Sequence, residues 1–201
     1  MVKIYIFIFS LSLVASIQSE SISRKELSIL RENCLKTYKE KKYSEAIPLL
    51  EKYLSFREEI KFKTLLAKSI LFRTDLIAPK EEDEIFIRDE KIHTAIENYK
   101  KSARVFSEVI PYLEKVTPND KSIGELYFLW ALSEQFSNER EKAIPLYKKS
   151  ALLKKDLAAL AFYNIGSIYE FLGQKKDSEI YFSKYNQASV DKKEEIREES
   201  R

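Results

Sequence analysis

Glycine, histidine and cysteine are almost missing from these 201 residues: three glycines, one histidine and one cysteine. Gly124, Gly166 and Gly173 are too scattered to build a loop that cradles phosphate. Strand-rich sandwiches and barrels need a turn signal about every 8–12 residues, and three glycines with five prolines do not supply one. His93 and Cys34 lie fifty-nine positions apart and cannot form a His/Cys metal cluster. A nucleophile with its base is lacking too. Glu81, Glu82 and Asp83 run together without the alternation and glycine of a calcium loop. No metal, no cofactor and no enzymatic activity are therefore expected. A lone cysteine cannot close an internal disulfide, so Cys34 reads as a small buried hydrophobe. Charge of one sign is also lacking. Thirty-five basic residues face 32 acidic ones, interleaved along the chain, and a formal charge of +3 gives no reason to expect nucleic acid.

What is present is 44% hydrophobic and 33% charged residues, a composition that suits amphipathic helices around a real core. The N-terminal segment carries Lys3 and then about eleven mainly apolar residues to Val14, the length of a signal h-region and short of a membrane span. Small residues follow, allowing cleavage after Ser16 or Ser19, with Ser19 preferred. A signal peptide over residues 1–19 is expected, with the mature chain exported to a periplasm or secreted and keeping no stable membrane span.

Four segments resemble one another, beginning at Ala46, Ala95, Ala143 and Ser178. Each opens on a small residue and places a large one (Leu50, Tyr99, Tyr147, Phe182) four positions on, along the same helical face. Upstream, Phe162, Ile165 with Gly166, Tyr169, Gly173 and Ser178 follow the pattern of the tetratricopeptide repeat at the right spacing, and this fourth unit resembles that family most closely. Lys41–Ile47 and Asn138–Ile144 resemble the family's turn and second-helix opening. Cys34, Ala67, Ala131 and Gly166 fill one column of small residues in the first helices, where two backbones must approach closely. The family's tyrosine is replaced by Thr37, Ile70 and Glu134 in the first three units, and Glu179 stands where the others have isoleucine.

The resemblance implies an all-α fold, a right-handed superhelical stack of about four helix-turn-helix pairs. The expected units are about 24–58, 59–115 with an exposed insertion over 73–90, 119–156 and 158–187, within a domain of 20–186. Residues 187–201 read as a charged solvating cap or a disordered tail, with Val190 and Ile196 the only apolar side chains from Val190 to Arg201. A long second helix is expected to begin before Lys91 and run toward Glu114, with Pro111 kinking it and Pro118 stopping it. Asn119 or Asp120 offers a cap to the next helix, and Pro48 and Pro145 belong near first turns.

Resemblance to the family further implies that the first helices line a concave groove. Arg31, Leu35 and Tyr38, then Phe128, Leu132 and Gln135, then Tyr163, Ser167, Glu170 and Phe171 are the expected groove residues. The packing positions are Cys34, Ala46, Ala67, Ala95, Ala131, Ala143, Gly166, Tyr169, Gly173 and Ser178. The function this suggests is a non-enzymatic scaffold holding a peptide or helix of a partner protein. An alternative is an accessory subunit of an envelope assembly or degradation machine, acting through the acidic run at 80–84.

Overall fold

The computed structural model describes residues 22–118 and 120–199, with side chains through Val190. The signal peptide expected over 1–19 and the cap offered by Asn119 lie outside them. Eight α-helices fill the described residues, and no strand occurs among them: α1 (Arg24–Lys39), α2 (Tyr43–Phe56), α3 (Ile60–Ile77), α4 (Ile85–Val116), α5 (Ser122–Phe136), α6 (Arg140–Leu153), α7 (Ala158–Phe171) and α8 (Lys175–Glu199). One 3-10 turn, Lys155–Leu157, precedes α7. The helices pack chiefly on their neighbours in sequence, as antiparallel pairs stacked side by side. This is the all-α stack of four helix-turn-helix pairs that the repeat pattern implies.

Local sequence sets the helix ends. Ser23 and Glu26 form a reciprocal capping box at the start of α1, each side chain accepting the other's backbone N–H at 3.0–3.2 Å. Asp120 accepts the Ser122 N–H at 2.8 Å just ahead of α5. The turns inside the first, third and fourth pairs share one geometry: a single left-handed residue, Lys41 (φ 58°), Asn138 (φ 70°) or Gly173 (φ 72°), sits mid-turn. In each, the next N–H (Lys42, Glu139, Gln174) reaches back to the carbonyl five residues earlier at 2.8–3.0 Å, satisfying an orphan helix end.

Packing follows the column of small residues. Cys34, Ala67 and Ala131 are fully buried, as are Ala46 and Ala143, while Ala95 and Ser178 are 5% exposed. Gly166 has no room for a methyl, since a Cβ there would come within 2.9 Å of the Phe182 ring. Large side chains fill the neighbouring grooves: Leu50, Tyr53, Phe62, Phe106 and Tyr147 are buried completely, each contributing on the order of 1.5–3 kcal/mol by burial. Tyr53 stacks on Phe62 at 4.2 Å between the first two pairs, and Tyr169 stacks on Tyr181 at 5.5 Å within the last. The departures from the family's tyrosine are locally satisfied: Thr37 donates to the Asn33 carbonyl, Ile70 is core, and Glu134 accepts from the Trp130 indole.

Three expectations differ from what is observed. The stretch 73–90 is not a loop insertion, because α3 runs on to Ile77 and α4 begins at Ile85, leaving a connection of 78–84. Periodic apolar residues carried both helices past the body of the stack. The segment beyond 187 is not a disordered tail, since α8 continues unbroken to Glu199; its many Lys and Glu residues are strong helix formers. Pro48 and Pro145 each stand sixth in their helix, one turn deeper than the first, and Pro111 lies inside α4, which runs on to Val116. All three prolines are exposed, so the carbonyl left without a partner faces water.

Candidate functional site

The face formed by the first helix of each pair was the expected groove, and its residues separate into three groups. Tyr38 on α1 is half-buried and its ring meets Tyr43 edge-on at 5.9 Å, which in turn tilts onto Phe72 of α3 at 5.3 Å. Burial pushes the Tyr38 hydroxyl up to about 12, with smaller contributions from Tyr43 and from the Glu125 carboxylate on α5. Glu125 is held below the usual carboxylate range, chiefly by the hydrogen bond from Lys68 of α3 at 2.8 Å, with Lys154 at 3.7 Å on its other oxygen. The Lys68–Glu125 bond joins the second pair to the third. Sequence reasoning missed Lys68, Glu125 and Lys154, although Lys68 immediately follows the small residue Ala67.

A second group supports rather than lines. Arg31 is exposed, yet its guanidinium lies over the Phe62 ring at 5.5 Å, joining the first pair to the second. Phe128 meets Tyr147 edge-on at 5.3 Å, and Gln135 accepts from the Tyr147 hydroxyl at 2.7 Å, so both are tied to α6. Burial drives the Tyr147 hydroxyl well above its ordinary range. Leu35 and Leu132 are half-buried. Leu35 borders a shallow depression of about 390 Å³ with Glu32, Lys36, Lys39 and Glu40.

The third group, on α7, is open. Tyr163 is 48% exposed with its ring leaning on Phe182 and Tyr185 of its own pair, Ser167 is half-buried, and Glu170 and Phe171 are exposed. Arg140 places its guanidinium 4.0 Å above the Phe171 ring. Phe136 and Leu160, which the sequence reading omitted, are also about half exposed. Of the exposed positions on α5 and α7, Phe136, Leu160, Tyr163 and Phe171 are large apolar or aromatic side chains and only Ser122 and Glu170 are polar. Within the described residues, no three His, Cys, Asp or Glu side chains are placed to hold a metal ion, and no helix is long and apolar enough to cross a membrane. Cys34 is fully buried, and loss of solvation pushes its thiol up to about 11. His93 lies exposed on α4.

No family model matches the chain, and no curated protein matches it. Solved structures do. MamA MSR-1 is 17% identical over 83% of this chain and 98% of its own, with a TM-score of 0.43. MamA 41-end from Desulfovibrio magneticus RS-1 is 14% identical over 85% and 98%, with a TM-score of 0.42. The assignment to a stack of helix pairs rests on the packing described above.

Proposed function

We propose that this chain is an exported, non-enzymatic scaffold that holds an extended or helical segment of a partner protein against the inner face of its first helices. The observation that carries this reading is the exposed row on α5 and α7, where Phe136, Leu160, Tyr163 and Phe171 are each about half exposed or more beside Ser167 and Glu170. Aromatic and aliphatic anchors with a few polar groups among them favour a peptide or helix, because they give contact area while hydrogen-bonding groups fix register. The Lys68–Glu125–Lys154 cluster adds charges of both signs where α3 meets α5. Arg31, Tyr38, Phe128 and Gln135 act by shaping that face, and Tyr163, Ser167 and Glu170 by touching the bound segment. The sequence of Lys3 followed by an apolar run to Val14, read as a leader, is what supports export.

A photo-crosslinking side chain placed at Tyr163 or Glu170 in the producing cell is expected to capture a discrete protein, whereas the same probe at the exposed Lys142 of α6 captures none. Equal capture from α7 and from Lys142, or capture from Glu170 that survives Phe171→Ala with Tyr163→Ala, refutes the groove assignment. The acidic connection over 80–84 supports a second reading, in which the end of the α3–α4 hairpin has a docking role of its own.

A further inference from the structure

Two surfaces are unlike the rest of the stack: the end of the α3–α4 hairpin and the outer side of the first pair. At the hairpin end Leu76, Ile85 and Phe86 are 70%, 73% and 88% exposed. Apolar side chains this bare, three together, mark contact surface rather than core that failed to close. Around them, residues 75–91 carry seven acidic and three basic side chains, a net of −4. Such a surplus disfavours an anionic lipid surface and favours an apolar recess with basic surroundings.

The chain itself carries such a recess. The outer face of α1 and α2, on which no described helix packs, contains a cleft of about 500 Å³ with Ile22, Ile29, Leu30 and Phe56 as its apolar walls and Glu26, Asn33 and Lys52 at its polar edge. Its volume falls in the range of about 300–1,000 Å³ that encloses ligands, with room for one aromatic and one branched side chain. The pair that bears it, residues 22–57, has nine basic and five acidic side chains, a net of +4. Among the described residues the cleft is lined by α1, α2 and Ile22 alone, so the hairpin end of the same molecule does not fill it.

We propose that the protein self-associates head to tail, the apolar end of the α3–α4 hairpin of one molecule seating Phe86 and Ile85 in the α1–α2 cleft of the next. Size and apolar character match across the two surfaces, and the segments that bear them carry opposite net charge. Because knob and recess are different surfaces, the contact is heterologous. Each molecule keeps one free knob and one free recess, and association continues beyond a dimer unless the geometry closes a ring.

Sedimentation velocity of the purified protein across a concentration series tests this. The expected result is a weight-average mass that rises with concentration and falls back as salt is raised, since the opposed charges are exposed and screened. Phe86→Asp and Ile29→Glu, both at exposed positions and both checked for native helicity, are each expected to weaken association by about tenfold or more, as loss of a central anchor does. An equimolar mixture of the two then restores one competent contact, the cleft of the first receiving the hairpin of the second, and gives a 1:1 dimer that does not extend. A wild-type mass that stays monomeric at every concentration overturns the proposal. So does association unaffected by Phe86→Asp, as when another surface or the chain's own N-terminal segment occupies the cleft, or a mixture that remains monomeric.

Discussion

Replacing the left-handed residue in each of the three equivalent turns gives a graded series whose signs differ although the turns are alike. Lys41, Asn138 and Gly173 sit at φ 58°, 70° and 72° in the same place between paired helices. For a residue with a Cβ the left-handed conformation costs roughly 1–2 kcal/mol, while glycine loses about 0.5–1 kcal/mol more backbone entropy on folding. Lys41→Gly is therefore expected to stabilise by about 0.5–1 kcal/mol. Asn138→Gly should fall near zero, because asparagine tolerates this conformation through its short polar side chain. Gly173→Ala should destabilise by about 1 kcal/mol even though no atom lies within 4 Å of the added methyl, the strain being in the backbone alone. Urea unfolding followed by far-ultraviolet circular dichroism resolves these values, since slopes of about 1–3 kcal/mol/M turn them into midpoint shifts of about 0.2–1 M at constant slope. A midpoint that falls for Lys41→Gly, or one that stays put for Gly173→Ala, refutes the account of the turns.

Gly124→Ala should destabilise by about 1–2 kcal/mol, read as a lower Tm: the new methyl would meet Lys154 Cβ at 2.8 Å and its backbone nitrogen at 3.1 Å, and overpacking of about 1–3 kcal/mol outweighs the helix propensity gained. Glu125 is depressed by Lys68 in the folded chain, so its contribution is present above the unfolded carboxylate pKa and lost as pH falls through the lower folded one; Glu125→Gln should flatten the acid side of a stability–pH curve, and an unchanged acid side tells against the cluster. Cys34 should resist a thiol-titrating reagent at pH 8 in the folded protein and react fully in denaturant, because burial both hides the thiol and raises it to about 11; rapid labelling of the native chain would contradict its place in the core.

The helix pairs were legible because their signal is local. Alanine or serine followed four positions later by a large side chain is a periodicity that survives in Ala46–Leu50, Ala95–Tyr99 and Ala143–Tyr147, and all six of these residues are buried or nearly so. The column Cys34, Ala67, Ala131 and Gly166 was equally visible, since close approach of backbones admits only small side chains. The hairpin end was misjudged because Pro79 and the acidic run suggested a broad loop, whereas helix periodicity extends through Ile77 on one side and from Ile85 on the other. Groove residues were harder still. Phe128 and Gln135 share a helical face with open positions, and only the partner helix decides that they lean on Tyr147. The cluster of Lys68, Glu125 and Lys154 joins positions 57 and 29 residues apart and has no periodic signature at all.

The neighbour-to-neighbour order of packing, with α1 on α2, α2 on α3 and so on to α8, has a kinetic consequence. Contacts that join segments close in sequence require little loop closure, so folding is expected to be fast for a chain of this length. A stack held together link by link also lacks one indivisible nucleus: each pair has its own intrinsic stability and shares a coupling energy with the pairs beside it. Heating or denaturant should then erode the outermost pair before the middle, and amide exchange should be slowest around Phe62, Phe106 and Tyr147, where buried aromatic side chains lock adjacent pairs together.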